Sequence, residues 1–391
     1  DALQVIQFLA DRSLIEQAGG SAYVLKLVED VMAPGSALIQ ARRLRSISVR
    51  RDLMLLAEQI ASDAAHPQED EAEFLKGVED KVLSITNANL SHGLLQAREF
   101  HDEFIEHIKH LAAARGGLTG TATHFTEFDQ LTSGLKGGQL LILAARPSQG
   151  KTTLAMNIAA NIALKEQKPV VVFSLEMSRI ELMMRLVCAE ARFSQSDLQR
   201  GHVGARMDYL VANIENLFRS PLYIDDSGVV DIWDCRARTR KLALELAQKG
   251  QSIGLIIVDY LQLMSDPQSR SQGRQHEVAT ISRNLKQLAR MVDAPVIAVS
   301  QMNRSVEQRR GESARPMLSD LRESGAIEQD ADIVMFIHHD KFDPDDSSPE
   351  ALEKRGTAEI IIAKHRNGPT DSFRLAYSPQ INRFDNRPGT E

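Results

Sequence analysis

Four short segments of this chain carry residue types that act on phosphates. Arg146-Pro147-Ser148-Gln149-Gly150-Lys151-Thr152 sets a glycine, a lysine and a hydroxyl in the order of a phosphate-binding loop. In such a loop backbone N–H groups cradle the phosphates, Lys151 reaches the β and γ phosphates, and the Thr152 hydroxyl ligates Mg²⁺. Ser148, Gly150, Lys151, Thr152 and Thr153 are therefore the expected ATP contacts. The pattern ordinarily opens on glycine, where this chain has Ala145. Asp259, at the end of the apolar run that starts at Ile253, is expected to hold the magnesium through its water shell. Glu176 follows a second apolar run and is the candidate general base or water-positioning group, because hydrolysis needs a carboxylate within reach of the attacking water and nucleotide binding does not. Arg185 is expected to face back toward the phosphates, and Gln301, a neutral donor and acceptor, to sense the γ-phosphate or the water. Binding and hydrolysis of a nucleoside triphosphate with magnesium is the chemistry these residues describe.

Positioning them takes strands that end at one edge of a sheet. From Phe125 onward, aliphatic runs of strand length alternate with amphipathic helical stretches, the pattern of a parallel sheet covered on both faces. The expected strands are 140–145, 170–174, 222–224, 253–259, 296–300, 333–337 and 358–364. The first runs into the phosphate loop, and Thr153-Leu154-Ala155-Met156 then opens a helix, which is the context the loop requires. Before this region the periodicity is helical, as in Leu44, Ile47, Leu53, Leu56 and Ile60, with turn signals at Gly19-Gly20, Pro34-Gly35 and His66-Pro67. Gly93 to Arg115 reads as one further helix ended by Gly116-Gly117. The expected organisation is a small helical domain over 1–90, a linker helix and linker over 91–120, and an α/β ATPase domain over 121–391.

Composition narrows the class. With 391 residues, 43% of them apolar, the chain can fill two cores. Its apolar runs stop well short of a membrane span, and two cysteines without a secretory signal suit a reducing cytoplasm. A formal charge of -7 argues against a uniformly basic coat for nucleic acid, but not against a local basic channel. The chain opens at Asp1, inside an apolar-periodic stretch, so further sequence is expected upstream.

Six blocks in order resemble the DnaB family of replicative DNA helicases: Ala144 to Thr152, Ser174-Leu175-Glu176-Met177, Ile257 to Met264, Ser300-Gln301-Met302-Asn303-Arg304, Ser319 to Gly325 and Ala363 to Pro369. The likeness covers nearly the whole chain, and in this family alanine at the start of the loop is ordinary. It implies RecA-like motor domains in a ring-shaped homohexamer, ATP and Mg²⁺ between subunits, and single-stranded DNA through the centre. Lys364 and Arg366 match the family's pair of cations that reach the neighbouring subunit's γ-phosphate, Arg366 as the arginine finger. The matching DNA loop holds Arg322, Glu323, Ser324 and Gly325, with Glu323 contributing only through its main chain. It lacks aromatic residues, so binding should be independent of sequence and sensitive to salt. Asp266 to Glu277, with Arg270 and Arg274, is a possible second, flexible pore loop. Primase and a helicase loader are the implied partners, and the cytoplasm, at replication forks on the nucleoid, the implied location. A RecA-type recombination ATPase and a nucleotide-gated scaffold for DNA or primase share much of this core and remain open at this stage.

Overall fold

The computed structural model describes residues 2–11, 15, 16, 18–23, 34–65, 74, 77, 78, 81, 82, 96–113, 117–228, 231–266, 273–302, 315–321, 324–339 and 356–387. It falls into two compact units, Asp1–Glu106 and His107–Glu391.

The first unit contains helices α1 (Ala2–Asp11) and α2 (Pro34–Ala64). The turn expected at Gly19-Gly20 is present, with both glycines left-handed at φ 92° and 82°. Pro34-Gly35, expected as a turn, instead opens α2. Proline suits a first helical position, where its missing N–H would have had no partner in the helix. The turn expected at His66-Pro67 lies outside the described residues. A 3₁₀ turn at Ala97–Phe100 precedes helix α3 (His101–Ala113), which is shorter than the helix read from Gly93 to Arg115.

The second unit is built on one sheet of nine strands among the described residues, in the order β3-β2-β4-β5-β1-β6-β7-β8-β9. The strands are β1 (Leu140–Ala145), β2 (Val170–Ser174), β3 (Leu222–Asp225), β4 (Leu255–Asp259), β5 (Val296–Gln301), β6 (Ile333–His338), β7 (Thr357–His365), β8 (Ser372–Ser378) and β9 (Arg383–Asp385). Helices α4 (Thr126–Thr132), α5 (Lys151–Lys165), α6 (Arg179–Glu190), α7 (Gln195–Gln199), α8 (Met207–Arg219), α9 (Ile232–Ala247), α10 (Arg274–Met291) and α11 (Ser324–Asp330) connect them. Strands β1 to β6 are mutually parallel and the last three pair antiparallel. The fold is therefore α/β with a mostly parallel sheet, as the alternation of runs and helices requires.

Strand periodicity divides the core in two. Leu141, Leu143 and Ala145 of β1, with Val170, Val172, Leu255, Ile257, Ile297 and Val299, face one side and pack with Leu154, Ile158 and Ile162 of α5. Leu140, Ile142 and Ala144, with Val171, Phe173, Ile256, Val258, Val296 and Ala298, face the other and pack with Val278, Ile281, Leu285 and Leu288 of α10. Every residue of β1, β2 and β4 is buried, which is why these strands read as continuous apolar runs.

The antiparallel end of the sheet curls back toward α5. Asn157 in α5 accepts the Phe384 N–H through Oδ1 at 2.7 Å and donates through Nδ2 to the Asn382 carbonyl at 3.2 Å. Strand β9 is thereby tied to the helix that begins at the phosphate loop.

Candidate active site

The parallel strands deliver their chemistry to one edge. Register pairs Ala145 with Gln301 and Ser174 with Asp259, so the ends of β1, β5, β2 and β4 lie side by side. This is where ligands sit on open α/β sheets. Ala145 is the buried last residue of β1 and needs no left-handed backbone, so the position tolerates a side chain.

Beyond it the chain turns tightly. Ser148 has φ 62° and Gly150 φ 88°, and Lys151 is the first residue of α5. The first N–H groups of a helix have no partner within it and attract anions. A Cβ on Gly150 would meet the Phe384 ring at 3.0 Å as well as forcing a side chain into left-handed backbone, so only glycine serves there. Two further side chains brace this turn and were not singled out from sequence. Tyr377 stacks on Phe384 with centroids 4.4 Å apart, and His339 lies 5.1 Å from Tyr377 and shares a hydrogen bond of 3.1 Å with the Gln149 carbonyl. The sequence signal for Tyr377 was faint: Ser372 to Ser378 alternates, with Phe373, Leu375 and Tyr377 at every second place rather than an aliphatic run.

Thr152 donates its hydroxyl proton to Asp259 Oδ2 at 2.6 Å. The other carboxylate oxygen, Oδ1, is buried with no hydrogen-bond partner. Burial raises the Asp259 carboxyl above the usual aspartate range; the Thr152 hydroxyl and then Lys151 oppose that rise, Glu176 adds to it and Arg185 again opposes it. Those couplings place Lys151, Glu176 and Arg185 around one carboxylate. Lys151 Nζ also sits 5.3 Å from the centroid of the Tyr260 ring. An orphaned buried oxygen beside a threonine hydroxyl fits a hydrated divalent cation, since Mg²⁺ is typically held by one or two protein oxygens, water and phosphate. Thr152 and Asp259 would hold it. Among the described residues no cluster of three or more His, Cys, Asp or Glu could hold a metal ion by itself.

Glu176 is exposed on the turn between β2 and α6, while Thr153 is buried in the first turn of α5. Ser178 caps α6 by accepting from Glu181 N–H, and the Glu181 carboxylate in turn accepts the Ser178 N–H. That box fixes where α6 starts and so carries Arg185 toward the site. Gln301 ends β5 at the same edge.

Lys364 and Arg366 lie elsewhere. Strand β7 runs antiparallel to β6, with His365 opposite Ile333 and Ile333 opposite Leu141 near the start of β1. Ala145 is four residues farther along, so roughly 13 Å of sheet already separates Arg366 from the start of the loop. Lys364 Nζ donates to the Glu328 and Ala331 carbonyls at 2.5 and 2.7 Å and so caps the C-terminal end of α11. Burial, then the neighbouring Arg366, lowers its ammonium below the ordinary lysine range. Arg366 sits 3.6 Å from Asp332 and is 54% exposed. Asp332 is buried and also takes Lys286 and the Leu140 N–H.

Of the expected DNA loop, Ser324 and Gly325 begin α11, with Gly325 exposed, while Arg322 and Glu323 lie outside the described residues. Leu321, at the root of that loop, makes an antiparallel bridge with Met302, the residue after Gln301. Arg274, considered for a second DNA loop, is exposed but engaged within its own chain: it donates to the Gln262 carbonyl at 2.6 Å and to Glu277 at 2.6 Å. Arg270 lies outside the described residues.

Residues 120–386 match the family model described as the DnaB-like helicase C terminal domain. The chain is 39% identical over 388 residues to the replicative DNA helicase DnaB of Geobacillus stearothermophilus, covering 99% of this chain and 83% of that protein. It is 37% identical over 389 residues to the replicative DNA helicase DnaC of Bacillus subtilis (strain 168), with the same two coverages. Among solved structures it is similar to a DnaB-like replicative helicase described with its interactions with primase, at TM-score 0.72 and 29% identity, covering 99% of this chain and 87% of that one. It is also similar to a second solved structure, described as an ATPase domain, at TM-score 0.66 and 34% identity, covering 74% of this chain and 98% of that one.

Proposed function

The chain belongs to the DnaB-like replicative DNA helicases, and on that premise we propose that its ATP site is completed only when a second copy supplies Lys364 and Arg366. The activity is that of an ATP-dependent DNA helicase working in replication. The observation that supports a shared site is the position of the two cations at the end of the sheet opposite the phosphate loop. One chain cannot fold the two ends together, whereas a head-to-tail ring sets each end of one subunit against the other end of the next.

In this reading Lys151 and the N-terminus of α5 take the triphosphate, with Ser148, Gly150 and Thr153 in the cradle. Thr152 and Asp259 hold Mg²⁺, which neutralises phosphate charge when bound. Glu176 orients the attacking water, Gln301 senses the γ-phosphate, and Arg185 adds positive charge. Arg366 and Lys364 enter from the neighbouring subunit of a homohexamer. When the γ-phosphate leaves, those cations are released, the neighbour shifts, and its loop through Arg322, Glu323, Ser324 and Gly325 moves along single-stranded DNA. Residues 1–90 and 91–120 serve as helical domain and linker to the motor over 121–391, with primase and a loader docking on or near the helical part. No helix among the described residues is long and apolar enough to cross a membrane, and we place the protein in the cytoplasm at replication forks. The relatives above favour neither the recombination nor the scaffold reading.

Strand separation on forked DNA tests the proposal. The expected result is unwinding that requires ATP and Mg²⁺ and is lost in Lys151→Ala; ATP-independent strand separation, or none with active ATPase, contradicts it.

A further inference from the structure

Strand β5 lacks a neighbour where it matters most. Its pairing with β4 stops at Val258 opposite Ala298, because β4 turns away after Asp259 into the 3₁₀ turn Leu261–Leu263. On the other side β1 continues to Gln301, and Met302 N–H still reaches the Ala145 carbonyl at 3.4 Å. The Gln301 N–H and carbonyl therefore face a gap left by β4. The side chain of Gln262 fills it. Its Oε1 accepts the Gln301 N–H at 3.2 Å, and its Nε2 donates to Ser300 Oγ at 2.8 Å and reaches the Gln301 carbonyl at 3.5 Å.

The turn that carries Gln262 is held from behind. Arg274 donates to the Gln262 carbonyl and to Glu277, whose other oxygen accepts the Asp266 N–H at 3.0 Å. Gln262 stands three residues after Asp259, and Gln301 is followed by Met302, bridged to Leu321 at the root of the expected DNA loop. One amide thus links the segment that holds the metal-site carboxylate to the strand end that carries the phosphate sensor.

We propose that Gln262 is a positioning residue for hydrolysis: it stands in for the missing strand and fixes Gln301 relative to Asp259. It acts through Gln301 and touches neither nucleotide nor water. The inference rests on the assignment of Gln301 as sensor. A misplacement of about 1 Å in such a group can cost on the order of 100-fold in rate, so the amide's loss should register in turnover rather than in nucleotide binding.

The test is a double-mutant cycle on the full chain, reading kcat and KM for ATP with single-stranded DNA present. Gln262→Met keeps the length and removes both hydrogen-bonding groups. Its kcat should fall by about 10-fold or more with KM changed less than about twofold, and Gln262→Met with Gln301→Ala should be no slower than Gln301→Ala alone. Unchanged kcat in Gln262→Met, a loss carried mainly by KM, or multiplying losses in the pair overturns the proposal while leaving Gln301 in place. Unchanged kcat in Gln301→Ala removes the sensor assignment and this proposal with it. Should Gln262→Met unfold, Gln262→Glu decides: its carboxylate accepts from both the Gln301 N–H and the Ser300 hydroxyl, so it should stay within about threefold of the parent, and a loss as deep as that of Gln301→Ala overturns the idea.

Discussion

The two ends of the central sheet hold their charges in opposite ways. At the phosphate-loop end Asp259 is buried, bonded through one oxygen to Thr152 and left with the other unpartnered. In the proposed reading that oxygen faces the hydrated Mg²⁺. At the far end Lys364 and Arg366 already have partners in their own chain, the C-terminal carbonyls of α11 and Asp332. One end leaves an acceptor oxygen unpaired, whereas the other pairs its cations within the chain. The cost of leaving is small. Arg366 is half exposed and stands 3.6 Å from the buried Asp332, longer than a direct hydrogen bond, so it leaves water access on its own side of the pair. Asp332 keeps Lys286 when Arg366 departs, so no buried charge is stranded. Lys364 is more committed, since α11 loses its cap when the ammonium moves. That cap couples the candidate trans cation to the helix that begins at Ser324 and Gly325.

Substitutions at each end should therefore fail differently. Arg366→Ala is expected to cost the most, roughly 10³-fold or more in DNA-stimulated turnover, as for arginine fingers in related phosphoryl-transfer sites. Its thermal midpoint should hardly change, because the residue is half exposed; a fall of many degrees would mean that the arginine is structural. Asp259→Asn keeps the Thr152 contact but weakens the hold on a hydrated metal, so ATPase should need about 10- to 100-fold more Mg²⁺. Because burial already penalises the charged carboxylate, the metal-free protein should be no less stable than the parent. A clearly lower midpoint in chelator would break the contrast between the two ends. Lys364→Met should give the smallest change in the free chain, about 0.3–1 kcal/mol from a lost helix-end cation, seen as faster hydrogen exchange confined to Ser324–Asp330. Uniform loss of protection across the sheet would contradict a local cap.

The sequence disclosed the parallel half of the sheet far better than the antiparallel half. Buried parallel strands are apolar on both faces, so β1, β2, β4, β5 and β6 stand out as runs with boundaries within about two residues of those observed. Strands β8 and β9 alternate or are very short, and with them the ring stack of Tyr377 on Phe384 against Gly150 was missed. Thr152 and Asp259 were legible because a motif and a strand end constrain them locally. The Lys364 cap and the Gln262 bridge to Gln301 depend on contacts between segments 33 to 39 residues apart, which periodicity does not encode. Arg274 shows the converse: a basic residue in a polar stretch reads as a phosphate contact until Gln262 and Glu277 are seen to hold it.

The claim that one chain builds half a site is tested most directly by mixing subunits. Glu176→Gln removes the proposed water-positioning group from a subunit's own site, and Arg366→Ala removes the cation it is proposed to lend to its neighbour. Each variant alone should be inactive. In co-assembled equal mixtures, about a quarter of interfaces by random assortment should pair an intact Glu176 with an intact Arg366 and recover DNA-stimulated ATP hydrolysis. Mixtures as inactive as either parent at every ratio would place both residues in the same site of one chain and contradict the account.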